Sequence, residues 1–280
     1  METILLLLLL TFSISICAEK PNREKILTEG KLLYRLEKGA WYGTDNFFSN
    51  FEHKKNLLGG YLSYETKDGY INTLFYNKNN PEEILVRYKF DKIPQQSPIS
   101  IDSIDNKAKP IEKDLIALRN DVWNRIVSNE DSLFLFYPNT SFNIIPLITN
   151  NEKKVYVLTA PQTTGVELIG NDYLLTYDKK NKLKDKKRLH NSLIELAYIS
   201  KDKEKSITAT VHPHVLSEFI DPTDICTLLL YREFVEWKQH LVISKDYISI
   251  FLMDQEQLLI MTLDKWEKLN KSPKKNDLKL

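Results

Sequence analysis

The sequence predicts an α+β protein in which an N-terminal antiparallel β-rich domain precedes a mixed α/β domain. Three observations carry that prediction. Two aromatic-rich runs, Gly60 to Tyr64 and Tyr70 to Tyr76, flank Lys67-Asp68-Gly69, and an Asp-Gly turn between such runs is a strong hairpin signal. From Ile111 to Val127, apolar Leu115, Ile116, Leu118, Val122, Trp123, Ile126 and Val127 return at helical spacing. From Ser206 to Thr262 the pattern reads strand, polar loop, helix, then three more strands.

Composition sets the outer limits. In 280 residues, 42% are hydrophobic, 11% aromatic and 28% charged, the balance of a globular chain with a sizeable core. Fourteen Tyr, twelve Phe and four Trp exclude disorder as the main state. The 39 basic and 38 acidic side chains leave +1, so no global field draws the chain to nucleic acid or to an anionic membrane. Two Cys cannot make a disulfide scaffold.

The elements follow in order. Met1 to Ala18 contains an apolar run from Ile4 to Leu10, shorter than the about 20 residues a spanning helix needs. It fits a secretory signal, with Ile16-Cys17-Ala18 as the cleavage site before Glu19, although Met1-Glu2-Thr3 carries no positive charge. Cys17 leaves a lipoprotein open, its acyl chain then being the sole membrane link, although Ile16 stands where a small residue is expected. Either outcome exports the protein to the periplasm, the cell surface or the medium. Residues 19–28 read as a polar tether and 31–90 as β, with Ile84 to Phe90 a third strand. Residues 92–110 form a linker rich in Pro, Ser, Asp and Lys. The predicted division is a signal peptide (1–18), a β-rich domain with its linker (19–109), a helix plus mixed α/β domain (110–265) and a Lys-rich tail (266–280).

Within the second domain, Lys154 to Ala160, Gly165 to Ile169 and Tyr173 to Tyr177 read as strands, divided by Pro161 and by Gly170-Asn171-Asp172. Lys179 to Arg188 holds seven basic residues and one Asp without an interleaved aromatic, and reads as a solvated hairpin tip. Ser206 to Val211 is a strand and Thr223 to Leu241 a helix; Leu241 to Ser244, Tyr247 to Met253 and Leu258 to Thr262 complete the strands.

One constellation carries chemistry. His212-Pro213-His214 closes the strand, and residues i and i+2 of a strand share a face, so both imidazoles can meet one metal. Asp221-Pro222-Thr223-Asp224 opens the helix, with Asp221 at the N-cap and Asp224 in the first turn. Two imidazoles, a carboxylate and a water form a catalytic zinc shell. The same residues also fit a plainer reading, as helix-start acids complementing the dipole and polar strand-end histidines.

The strand, His-x-His, loop and helix-borne Asp of residues 155 to 262 resemble the JAB/MPN (JAMM) metalloprotease family. The resemblance implies zinc held by His212, His214 and Asp224, with a Glu upstream as general base. Departures are visible. Val215 stands where the family has Pro, Asp221 stands where it has Ser or Thr, and the loop from His214 to Asp224 is about one residue shorter. Alignment on Gly165 puts Gln162 at the base position, where a neutral amide cannot serve; alignment on separation selects Glu167. The implied enzyme is a zinc-dependent hydrolase of an amide or isopeptide bond in a peptide or protein substrate. The alternative is a non-catalytic binding or assembly module at the cell surface or in the periplasm.

The other reactive residues read as structural. Cys226 is expected in the core. His190 and His240 are expected as surface or satisfied polar groups, His240 at a helix end. Trp41-Tyr42-Gly43 with Phe47-Phe48 is expected to pack in the core rather than form a binding platform. No Gly-rich phosphate loop is present.

Overall fold

A long helix, α1 (Arg23–Asn50), leads the chain in the computed structural model, which describes residues 22–149, 152–197 and 207–271. The signal segment 1–18 lies outside the described residues. Helix α1 takes up residues 23–28 of the expected tether, whose first residues 19–21 lie outside the described ones, and the first part of the β region expected over 31–90. Its glycines and aromatics disguised it: Gly normally costs about 1 kcal/mol in a helix interior, but here it marks a contact. A Cβ on Gly30 would come within 2.7 Å of the Ile225 Cβ, so the missing side chain lets α1 lie against a later helix. Leu33, Leu36 and Phe47 are fully buried along the same helix.

Strands β1 (Leu58–Glu65), β2 (Ile71–Asn77), β3 (Ile84–Phe90) and β4 (Ser100–Asp102) form an antiparallel sheet in the order β1-β2-β3-β4. The hairpin turn is where the Asp-Gly signal placed it, with Gly69 at φ +83°. Helix α2 (Pro110–Ser128) starts on Pro110 at its first position. It buries Leu115 and Ile116 on the first sheet and Leu118, Val122 and Ile126 on a second. That second sheet has the order β5-β6-β8-β9, from β5 (Thr140–Thr149), β6 (Glu152–Pro161), β8 (Tyr173–Tyr177) and β9 (Leu183–Arg188). β7 (Val166–Gly170) pairs instead with β10 (Leu193–Ala197). The basic run forms the turn after β8 and then β9, the last strand of its sheet, where lysines discourage edge pairing.

The last sheet has the order β11-β12-β13-β14, from β11 (Ala209–Pro213), β12 (Gln239–Ile243), β13 (Tyr247–Leu252) and β14 (Gln257–Thr262). β11 and β12 are parallel, joined by α3 (Pro222–Tyr231). The helix expected to reach Leu241 therefore stops ten residues earlier. Lys238 is already tied into the sheet edge-on, its N–H donating to Thr208 O and its carbonyl accepting from Met253 N–H. Helix α4 (Leu263–Lys271) occupies the start of the expected tail.

The largest core cluster takes Leu33 and Leu36 from α1, Phe75 and Tyr88 from the first sheet, Tyr156 and Leu158 from the second, Ile169 from β7, Ile225 and Leu228 from α3, and Val242 and Phe251 from the last sheet. Burial is thus continuous across residues 109 and 110. Among the described residues, no helix is long and apolar enough to cross a membrane.

Candidate metal centre

The β11–α3–β12 unit builds the site from short-range geometry. At the carboxyl end of β11, His212 and His214 project together, their ring centroids 4.8 Å apart. The His214 backbone is fixed there by its N–H donating to Ile243 O at 2.8 Å. Asp224 lies at the third position of α3, where its Oδ2 accepts the Asp221 N–H at 2.9 Å. That capping contact aims the carboxylate back at the imidazoles: His214 Nε2 is 3.2 Å from Asp224 Oδ2, and His212 Nε2 is 3.8 Å from Asp224 Oδ1. Asp224 is thus the helix-start acid that the sequence indicates, and the same carboxylate faces both imidazoles.

A fourth member arrives from outside the motif. His190 follows β9 directly after Leu189, which is buried in the main core. Its Nε2 is 2.9 Å from Asp224 Oδ1, and its ring centroid is 4.9 Å from that of His214. One nitrogen from each of His190, His212 and His214 and one oxygen from Asp224 lie within 4.8 Å of one another, all four residues being buried. His190 was expected to be a surface or satisfied polar group; it is buried, between Asp224 and Asp172.

The state of the facing atoms decides what the cluster is for. His190 Nε2, His212 Nε2, His214 Nε2 and Asp224 Oδ1 are buried and have no hydrogen-bond partner among the described residues. Even the 2.9 Å approach of His190 to Asp224 is not aligned as a hydrogen bond. Four orphaned buried polar atoms crowded together cost several kcal/mol unless a shared partner satisfies them. A zinc ion bound at 2.0–2.2 Å in a tetrahedron separates its ligand atoms by about 3.4 Å; the imidazoles stand 2.9 and 3.8 Å from Asp224 Oδ1 and 3.2 Å from Oδ2, and the whole set lies within 4.8 Å. The residues present fit a metal ion. Compared with known protein families, curated proteins and solved structures, the chain matches none.

The groups around His214 and His212 suit the tautomer a metal requires. His214 Nδ1 lies 2.7 Å from Ser217 Oγ and 2.8 Å from the Phe219 carbonyl; the carbonyl can only accept, so a proton on Nδ1 satisfies it and leaves a lone pair on Nε2. His212 Nδ1 meets His240 Nε2 at 2.7 Å, and His240 Nδ1 meets Thr210 Oγ1 at 2.7 Å. Protons on the two Nδ1 atoms leave His212 Nε2 free and make a relay ending on the Thr210 hydroxyl. Parallel pairing places His240 opposite Thr210, so the histidine expected at a helix end is instead a strand residue behind His212. Asp172 Oδ2 stands 3.5 Å from His190 Nδ1. It is directed there by the turn after β7, where Gly170 takes φ +98° and a Cβ would collide with the Ser192 carbonyl.

Burial and the neighbouring carboxylates set the charges of the group. Burial lowers the His212 pKa to about 4, with His214 and His190 adding to the effect against Asp224. Burial and His212 lower that of His240 to about 3. Burial also works against the charged form of His190, but Asp224, Asp172 and Asp221 outweigh it and raise the pKa to about 9. Asp224 is held well below the carboxylate range because His190 and His214 overcome its burial. A carboxylate facing three imidazoles is a site arranged for positive charge.

Neither position weighed as general base is among the four converging residues. Gln162 is exposed in the turn after β6. Glu167 is in β7, fully buried; among the described residues neither carboxylate oxygen has a hydrogen-bond partner, and it is not one of the four converging residues. Burial alone raises its pKa from 4.5 to about 8. The sign of the consequence is fixed: the folded chain keeps a proton that the unfolded chain releases above pH 4.5, so stability falls as pH rises toward 8. Glu167→Gln is expected to match the wild type near pH 4.5 and to exceed it by a few kcal/mol at pH 9, at about 1.4 kcal/mol per pH unit. Urea midpoints at both pH values check this; a stability difference independent of pH overturns it. Cys226 is fully buried in α3, as expected, and burial pushes its thiol well up, with Glu37 and Asp172 adding to the shift.

Proposed function

We propose that this is an exported zinc-binding protein whose metal is held by His190, His212, His214 and Asp224. The metal assignment rests on one observation, the four buried, unpartnered ligand atoms that converge on one another. Zinc is favoured by donor chemistry: three imidazoles and one carboxylate, with no thiolate, make up a four-coordinate nitrogen and oxygen set. Four protein ligands fill a tetrahedron, which supports a binding or assembly role in which the ion stiffens the fold. Metal analysis of the purified mature chain tests this, with one equivalent of zinc expected and a metal-free, fully stable protein the result against it.

A hydrolytic reading has one observation in its favour. A small cavity of about 110 Å³ reaches His190, His212 and His214 beside Asn191, Ile194 and Val215, room for a few waters. A bound zinc supplies Lewis acidity and a water acidified toward neutral pH. In this version one of the four ligands yields its place to that water, Glu167 is the base, and a peptide or protein amide is the substrate. Cobalt substitution separates the versions: a spectrum unchanged by small anions supports the closed centre, and one that shifts on anion binding supports the open one.

Export rests on the Ile4 to Leu10 run and on Ile16-Cys17-Ala18. The mature N-terminus in envelope or secreted material is expected at Glu19, or at an acylated Cys17. Terminal sequencing that finds Met1 intact in the cytosol overturns it.

A further inference from the structure

A second, larger cavity lies on the other side of β7. Adjacent strand residues face opposite ways: Ile169 lines the small cavity at the histidines, and Leu168 lines one of about 460 Å³. Its polar and aromatic walls include Glu37, Trp41, Asp45, Tyr61, Asn143 and Tyr231, and among the described residues no Lys or Arg lines it. We infer that this cavity is a binding site for a small organic cation, an alkyl- or arylalkylamine, whose ammonium meets Glu37 and whose carbon skeleton lies against Trp41, Tyr61 and Tyr231.

Glu37 supplies the first argument. It lies on α1 and is only 8% exposed. Its Oε2 accepts from Asn143 Nδ2 at 2.7 Å, whereas no hydrogen bond is made to Oε1 among the described residues. Neighbouring cations are committed elsewhere. Lys38 Nζ bonds Glu233 Oε1 at 3.1 Å, and Arg119 Nη1 donates to the Tyr76 hydroxyl at 2.9 Å while its guanidinium covers the Tyr61 ring. Burial, opposed by Asn143, raises the Glu37 pKa to about 7, the mark of a carboxyl that lacks a compensating charge.

The aromatics supply the second. The Trp41 to Phe48 segment, expected to pack inside, divides its residues. Phe47 stacks on Phe75 at 4.5 Å in the core, but Trp41 is 45% exposed and lines the cavity. A large indole left at the mouth of an acid-lined cavity is a platform for a cation, because the ring face is negative and the carboxylate completes the charge. Asp45, one turn further along α1 at the rim, adds to the field that draws such a ligand in.

Titration of the full mature chain with phenethylamine, followed by tryptophan fluorescence and calorimetry, tests the inference. Phenethyl alcohol serves as the neutral isostere. The amine is expected to bind saturably and the alcohol roughly tenfold more weakly or worse. Glu37→Gln is expected to lose roughly tenfold for the amine and nothing for the alcohol. Trp41→Leu, at a half-exposed position that tolerates change, is expected to weaken the amine and abolish the fluorescence signal while thermal stability and zinc content stay unchanged. Equal affinity for amine and alcohol, no saturable amine binding, or full amine affinity in a folded Glu37→Gln or Trp41→Leu variant overturns the inference. Zinc content plays no part in it, so failure here leaves the metal centre untouched.

Discussion

His190→Ala is expected to lose zinc as completely as His212→Ala or Asp224→Asn, by more than about 100-fold in affinity. A three-ligand centre built from the His-x-His motif and Asp224 alone would be indifferent to His190, so this variant decides the composition of the shell. His240→Ala, which removes only the group behind His212, is expected to lose roughly 10- to 100-fold. Competition with a chromophoric chelator measures all four. The loss should also appear as stability, because zinc binds the folded chain and not the unfolded one: at free zinc 1,000-fold above Kd the gain is about 4 kcal/mol, which for a chain of this size is roughly 10 °C in Tm. Retention of wild-type affinity in His190→Ala reduces the centre to three ligands. A chelator that leaves Tm unmoved removes the centre altogether.

Why His190 had to come from the structure, while the other three members of the cluster did not, is a matter of range. His212, His214 and Asp224 are linked by local rules: the two-residue period of a strand and the cap of the helix that follows it. No local rule links His190 to them. It reaches the site because the β8–β9 hairpin ends there and Leu189 anchors in the core, and neither fact has a sequence period. His240 was hidden by a different effect. The apolar stripe of α3 runs on without a helix stop, so the sequence extends the helix to Leu241, whereas backbone pairing with β11 and β13 claims the segment from Gln239. Strands bounded by turn residues fared best, Ile84–Phe90 and Tyr173–Tyr177 having the limits that the sequence indicates. Helix α1 fared worst, since the glycines that let it pack on α3 and β2 are the residues that argue against a helix when read alone.

Glu112→Ala is expected to destabilise the whole chain by about 3–5 kcal/mol, the consequence of stranding a buried guanidinium. Glu112 is fully buried at the third position of α2. Its two oxygens take Arg87 Nε and Nη2 of β3, each at 2.8 Å, the Tyr64 hydroxyl of β1 at 2.8 Å and the Lys109 N–H at 2.7 Å. One carboxylate therefore caps α2 and fastens it to the first sheet. Burial alone would raise its pKa, but Arg87, the Lys109 N–H and Tyr64 outweigh that and lower it. The stability it contributes is accordingly present above the ordinary glutamate pKa and lost as pH falls through the depressed folded value. Arg87→Met combined with Glu112→Leu removes both charges and is expected to recover most of the loss, because the cost lies in the unpaired partner. The exposed Lys268–Asp264 pair, at 2.6 Å, is the control, worth less than about 0.5 kcal/mol. Urea denaturation followed by tryptophan fluorescence and by zinc release reads the effect in two regions at once. Trp41 and Trp123 stand before and after the predicted boundary at 109/110, and the metal ligands lie far beyond it. Since the main core joins both sides, Glu112→Ala is expected to shift one common transition to lower urea. If the fluorescence transition moves and zinc release does not, the first sheet and the metal-bearing region fold as separate units.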